Sequence, residues 1–140
     1  MDVEKLNLDF VALAEKINDL DDLDYSDERY DDLEEELHNM EDSFLEEFGK
    51  ELEEAVALVH DEFCPDTDVL LPTAYFAKNY LKLQRDNKGN QVYDVEFGEG
   101  VPVEVDDFPE QDVHLVLVPG PTRLLVTVGD SAKQVAWKAK

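Results

Sequence analysis

An α+β fold is predicted: an N-terminal acidic helical hairpin, made of one short and one long helix, packed on a C-terminal antiparallel β-sheet or small barrel. Apolar residues recur every three or four positions as far as Phe63, and from Val69 onward short β-branched and aromatic runs alternate with turn residues. The acidic residues crowd ahead of that change. Residues 1–68 therefore form an acidic helical segment and residues 69–140 a β-rich one. No low-complexity linker separates them, so one compact unit is expected.

The first helix is read from Leu6, Phe10, Leu13, Ile17 and Leu20, whose alternating steps of four and three place them on one face. It should span about residues 3–21. The stretch Asp21-Asp22-Leu23-Asp24-Tyr25-Ser26 breaks the stripe, and Asp24 or Ser26 is placed to cap a second helix by accepting a hydrogen bond from a free backbone N–H.

The second stripe reads Tyr30, Leu33, Leu37, Met40, Phe44, Phe48, Leu52, Val56, Val59 and Phe63, 33 residues in nine steps. Its mean spacing of about 3.7 lies nearer the 3.6 of a straight helix than the 3.5 of a left-handed supercoil, which favours packing within the chain over an extended coiled coil. An unbroken helix over 27–63 would be roughly 55 Å long, more than the first helix can cover. The β-rich half is expected to cover the rest, unless a partner or a second copy does. Gly49 offers a kink or break, and Pro65 closes the helix.

Strands are predicted at Val69–Leu71, Tyr80–Arg85, Gln91–Phe97, Val101–Val105, Val113–Val118, Leu124–Val128 and Gln134–Trp137. Asp86-Asn87-Lys88-Gly89-Asn90 and Pro119-Gly120-Pro121-Thr122 supply hairpin turns. The almost wholly apolar run Val113–Val118 belongs at the centre of the sheet, and the Val101 strand, whose Pro102 cannot donate to a ladder, at an edge. Residues 73–79 fit a short helix as well as a strand.

The net charge of −24 is lopsided. Residues 1–68 hold 26 Asp and Glu against 4 Lys and Arg, a net of −22, whereas residues 69–140 hold 10 against 8, a net of −2. A halophilic or generally solubilising composition would spread its acids over both halves, so a localised role is favoured. Nucleic acid and membrane surfaces, both anionic, are not expected as direct partners. Met1-Asp2-Val3-Glu4 has neither the basic start nor the apolar stretch of a secretory signal, and no stretch reaches the length of a membrane span, so a cytoplasmic location is expected. Cys64 is the only cysteine, which removes disulfide frameworks and multi-cysteine metal sites.

Between Asp31 and Glu54 stand 12 acidic residues and one base, Lys50. Over about 36 Å of helix this is one negative charge per roughly 3 Å, about half the linear density of duplex DNA. Asp31, Asp32, Glu35, Glu36, Glu41, Asp42, Glu46, Glu47, Glu53 and Glu54 are the candidate partner-binding residues. The function expected is that of a non-enzymatic binding or regulatory protein presenting this face to a basic protein surface, as an inhibitor, antidote, adaptor or nucleic-acid mimic. A solvated helix face is the plainer explanation of a charge run, but a face optimised for stability would set Lys at i+4 positions, and this one hardly does. The alternative, from another class, is a helix-mediated oligomer, such as a homodimer, whose β half carries a small-ligand or catalytic site.

No cofactor, metal site or catalytic residue is assigned. Glu35 and His38 have the Glu-x-x-His spacing of carboxylate-bridged di-metal bundles, yet no second such pair exists. His60 and Cys64 at i and i+4 are two ligands where zinc takes three or four. Cys64, at a helix C-terminus among carboxylates, is expected to be an unreactive packing residue. His114 lies in the central apolar run, where an interior or strand-edge histidine is commoner than a base. Tyr75, Phe76, Tyr80 and Tyr93 are assigned to the core or rim of the sheet.

Overall fold

The computed structural model describes all 140 residues. Helix α1 runs Val3–Asp21, as its stripe predicts, and Asp2 caps it by accepting from the Lys5 amide at 3.1 Å. Leu6, Phe10, Leu13, Ala14 and Ile17 form its buried face.

Helix α2 runs Tyr30–Phe63, 34 residues and about 51 Å. It starts later than residue 27, and neither Asp24 nor Ser26 caps it. No side chain caps it: two turns over residues 24–30 set the Asp27 carboxylate against the Arg29 amide, at 2.9 Å, and the Arg29 guanidinium, and the Asp27 carbonyl accepts from the Tyr30 amide.

No break occurs at Gly49. The helix continues through it, held by the buried flanking residues Phe48 and Leu52, whose packing outweighs the roughly 1 kcal/mol propensity cost of glycine. A methyl group at position 49 would meet only the Leu45 side chain of the same helix, at 3.7 Å. Gly49→Ala should therefore raise stability by about 0.5–1 kcal/mol in urea unfolding; a loss would show that the backbone there needs glycine.

A 3-10 turn, Pro72–Tyr75, leads to a two-stranded ribbon, β1 (Leu81–Lys82) with β2 (Tyr93–Asp94). The main sheet is an antiparallel meander in the order β3-β4-β5-β6: β3 (Val101–Val103), β4 (Val113–Val118), β5 (Arg123–Val128) and β6 (Ala132–Lys138). Strands β3 and β6 are open edges, so no barrel closes. As predicted, β4 is central and the Pro102 strand lies at an edge.

Three strand assignments need correction. Val69–Leu71 is not a strand; Pro72 ends the run, and the Leu70 amide goes to the Tyr75 hydroxyl at 3.1 Å in place of a ladder partner. The segments 80–85 and 91–97 shrink to two paired residues each. Beyond Lys82 side chains share the cross-strand pairing with the backbone: the Leu83 amide donates to the Val92 carbonyl at 2.9 Å, Gln91 Nε2 donates to the Leu83 carbonyl at 2.6 Å, and Asp86 accepts from the amides of Lys88 and Asn90. Residues 73–79 divide, with the 3-10 turn first and then a single parallel bridge from Phe76 to Leu117.

One core of 30 buried side chains draws on both halves. Leu37, Phe44, Phe48, Leu52, Val56 and Val59 of the α2 stripe belong to it and Met40 and Phe63 pack against it half-buried, whereas Tyr30 and Leu33 lie outside it, so most of the stripe is covered within a single chain. The segment after α2 fastens helices to sheet. His60 places Nε2 2.7 Å from the Tyr75 hydroxyl and Nδ1 2.9 Å from the Thr67 carbonyl. Since a carbonyl only accepts, the proton sits on Nδ1 and Tyr75 donates to Nε2. Asn18 of α1 binds both backbone groups of Tyr80, and the Tyr80 hydroxyl accepts from the Ala77 amide and donates to the Leu117 carbonyl. Glu99 accepts from the amides of Lys78 and Asn79.

Candidate acidic interface and adjoining groove

Helix geometry sorts the carboxylates of α2 by what lies beneath them. Glu35, Asp42, Glu46 and Glu53 stand seven, four and seven residues apart, on one line of the helix opposite its buried stripe, and all four are exposed. No base pairs with any of them. Asp31 and Asp32 are exposed in the first turn, where the positive end of the helix dipole favours carboxylates. Glu54 is exposed and unpaired.

Two of the ten are compensated, both by α1. Lys16 reaches Glu36 at 3.0 Å, and Lys5 reaches Glu47 at 2.6 Å and Asp9 at 2.8 Å. Hydrogen bonds to Asp9 and then to Glu47 hold the Lys5 ammonium above the ordinary lysine range. These are surface pairs of modest worth. The bases of the β half stay away from the ridge: Arg123 donates to the carbonyls of Pro119, Pro121 and Tyr93, and Arg85 to that of Gly89. Burial pushes the Arg123 guanidinium down from its usual value, a cost met by those three carbonyls.

Glu41 differs from the other nine. It is half-buried and has no hydrogen-bond or ion-pair partner, and its carboxyl is held above the usual glutamate range by burial, with His38 opposing and Asp42 adding to the shift. A carboxyl raised on folding binds more protons in the native state, so its contribution to stability falls as pH rises from the unfolded toward the folded pKa. Glu41→Gln should thus stabilise the protein near neutral pH and remove this falling contribution across the acid range, so that the gain over wild type grows with pH there; identical profiles for the two proteins would refute this.

Glu41 lines a groove of about 420 Å³ between the end of α1, the α1–α2 connection, α2 and the Thr73–Lys78 segment. Ile17, Leu20, Leu23, Leu37 and Phe76 form its apolar wall. At its mouth Tyr25, 84% exposed, packs on Tyr30 with ring centroids 4.8 Å apart. The sequence stripe included Leu37 and Tyr30; it could not show that the connection folds Tyr25 back onto Tyr30 to complete a wall. The β half has a more polar groove of about 740 Å³ beside β3, where half-exposed His114 has no hydrogen-bond partner to orient it.

No family model matches the chain, and no curated protein or solved structure is significantly similar to it. Function rests on the chemistry of its own surfaces.

That chemistry leaves the motif pairs without a common site. Glu35 and His38 are both exposed, and His60 spends both ring nitrogens inside the fold. No group of three or more His, Cys, Asp or Glu side chains comes together. Cys64 is buried, which raises its thiol pKa and lowers its reactivity. Tyr75, Tyr80 and Tyr93 are core residues, and Phe76 packs against them half-buried. No helix is long and apolar enough to cross a membrane.

Proposed function

We propose that the chain is a non-enzymatic binding or regulatory protein that docks the outer acidic ridge of α2 on a positively charged protein surface. The observation that carries this is that no ion pair reaches Glu35, Asp42, Glu46 or Glu53, although twelve Lys and Arg are present in the chain and Lys50 stands only four residues from Glu46. Like charges at i,i+4 positions each cost a few tenths of a kcal/mol in a helix, as Asp42 and Glu46 illustrate, and a cationic client would relieve that repulsion on binding. The second class of reading, oligomerisation through the helical stripe, draws less support, because Leu37, Phe44, Phe48, Leu52, Val56 and Val59 of that stripe are already buried within one chain.

The test is affinity capture by the wild-type chain and by the variant Glu35→Gln/Asp42→Asn/Glu46→Gln/Glu53→Gln, at low salt and at about 0.5 M NaCl. A basic protein held at low salt, released at high salt and not captured by the variant is expected. Capture indifferent to both salt and variant, or no basic protein at all, would refute the proposal.

A further inference from the structure

We propose that the groove beside Tyr25 receives an apolar side chain from a partner polypeptide whose adjacent lysine or arginine pairs with Glu41. The groove rests on the acidic face being a docking surface, and it supplies what that face lacks, a hydrophobic anchor point. Carboxylate ridges steer and orient, whereas the energy of an interface concentrates in a few apolar or aromatic anchors seated in pockets.

The occupant's chemistry follows from the lining. The wall of Ile17, Leu20, Leu23, Leu37 and Phe76 takes an apolar body, and about 420 Å³ is in the range of pockets that hold one. Glu41 and Asp21 are the lining carboxylates against a single base, Lys78. Asp21 already accepts from the Asn79 side chain, which leaves Glu41 half-buried without a donor. An anionic or neutral occupant would bury Glu41 further without a partner, at several kcal/mol for an unpaired charge in an apolar setting. A cationic one pairs it. Tyr25 and Tyr30 at the mouth add ring faces that attract the same cations.

A polypeptide fits better than a small amine because the site continues. Glu34 stands seven residues before Glu41 on the same line of α2, and the Tyr30 hydroxyl at the mouth, its pKa raised by desolvation and by Tyr25, is raised further by the nearby Glu34 and Asp31, so a basic chain anchored in the groove meets further carboxylates. A small amine would leave them unused.

Short random peptides displayed on phage and selected on the intact protein at low salt provide the test. Selected peptides should pair a leucine or aromatic residue with Lys or Arg within two positions. Synthetic copies should weaken about tenfold on Tyr25→Ala, a change at an exposed residue that leaves the core intact. Replacing the basic residue by norleucine should weaken binding to the wild type about tenfold but leave binding to Glu41→Gln nearly unchanged, the signature of a direct pair.

Purely basic peptides that the quadruple ridge variant abolishes, and that Tyr25→Ala and Glu41→Gln leave untouched, would overturn the groove while supporting the ridge. Peptides with no basic residue would overturn both. Self-association of the pure chain in sedimentation, removed by Tyr25→Ala, would make a second copy the occupant and overturn the proposal.

Discussion

Phe10→Ala should lower the free energy of unfolding by about 3–5 kcal/mol, the range measured when a buried phenylalanine is truncated and its cavity does not collapse. Phe10 has no exposed surface. Its ring packs at 5.5 Å from Phe44 of α2, 5.2 Å from Phe76 and 6.0 Å edge-on to Tyr80, so it touches both helices' partners and the segment leading to the sheet. Relaxation is blocked because those neighbours are pinned elsewhere: Tyr80 by Asn18 and Leu117, and Phe76 by its bridge to Leu117. Denaturant unfolding gives the value. A loss below about 1 kcal/mol would mean that the cluster repacks freely and that the halves are not joined through it.

Gly100→Ala should also be severe, on the order of 3 kcal/mol, for a different reason. Gly100 has φ +92°, which side-chain-bearing residues rarely adopt, and a Cβ there would lie 2.1 Å from the Leu115 carbonyl and 2.8 Å from the Val116 Cβ. Leu115 and Val116 are in β4, held between β3 and β5, and cannot give way. The neighbouring Glu99 fixes the amides of Lys78 and Asn79, so movement at Gly100 should also loosen the rim of the groove. Stability measured alongside Gly89→Ala, at a glycine of φ +82° with nothing within 4 Å, separates the clash from the backbone strain that both share. Equal losses in the two variants would contradict the clash.

Periodicity made the helices legible, and the limits of α1 and the last residue of α2 follow from it directly. Strong apolar runs such as Val113–Val118 also declared their position in the sheet. What the sequence could not show was where side chains replace backbone pairing. Gln91, Asp86 and Tyr75 each satisfy a backbone group that a ladder would otherwise hold, and the expected strands around them shorten or vanish. No side chain took the capping role expected of Asp24 or Ser26: the path of the turn brings the Asp27 carboxylate to Arg29 and its backbone carbonyl to the Tyr30 amide. The acidic ridge was legible as spacing; its pairing was not. Lys5 and Lys16 compensate Glu47 and Glu36 across the hairpin, which depends on how the helices are set against each other, and Glu41's burial depends on the same packing.

Everything proposed for this surface requires that the outer carboxylates of α2 repel one another without internal relief. Successive ridge carboxylates lie four to seven residues apart, about 6–10 Å along the axis. That is close to the Debye length of about 8–10 Å at moderate salt, so screening should act on them over an accessible range of NaCl. The direct measurement is the thermal midpoint of unfolding from low salt to about 0.5 M NaCl, for the wild type and for the Glu35→Gln/Asp42→Asn/Glu46→Gln/Glu53→Gln variant. The wild type should melt higher as salt rises, with a clearly smaller rise in the variant. A wild-type midpoint that stays flat or falls, or an equal rise in both proteins, would contradict an unrelieved ridge.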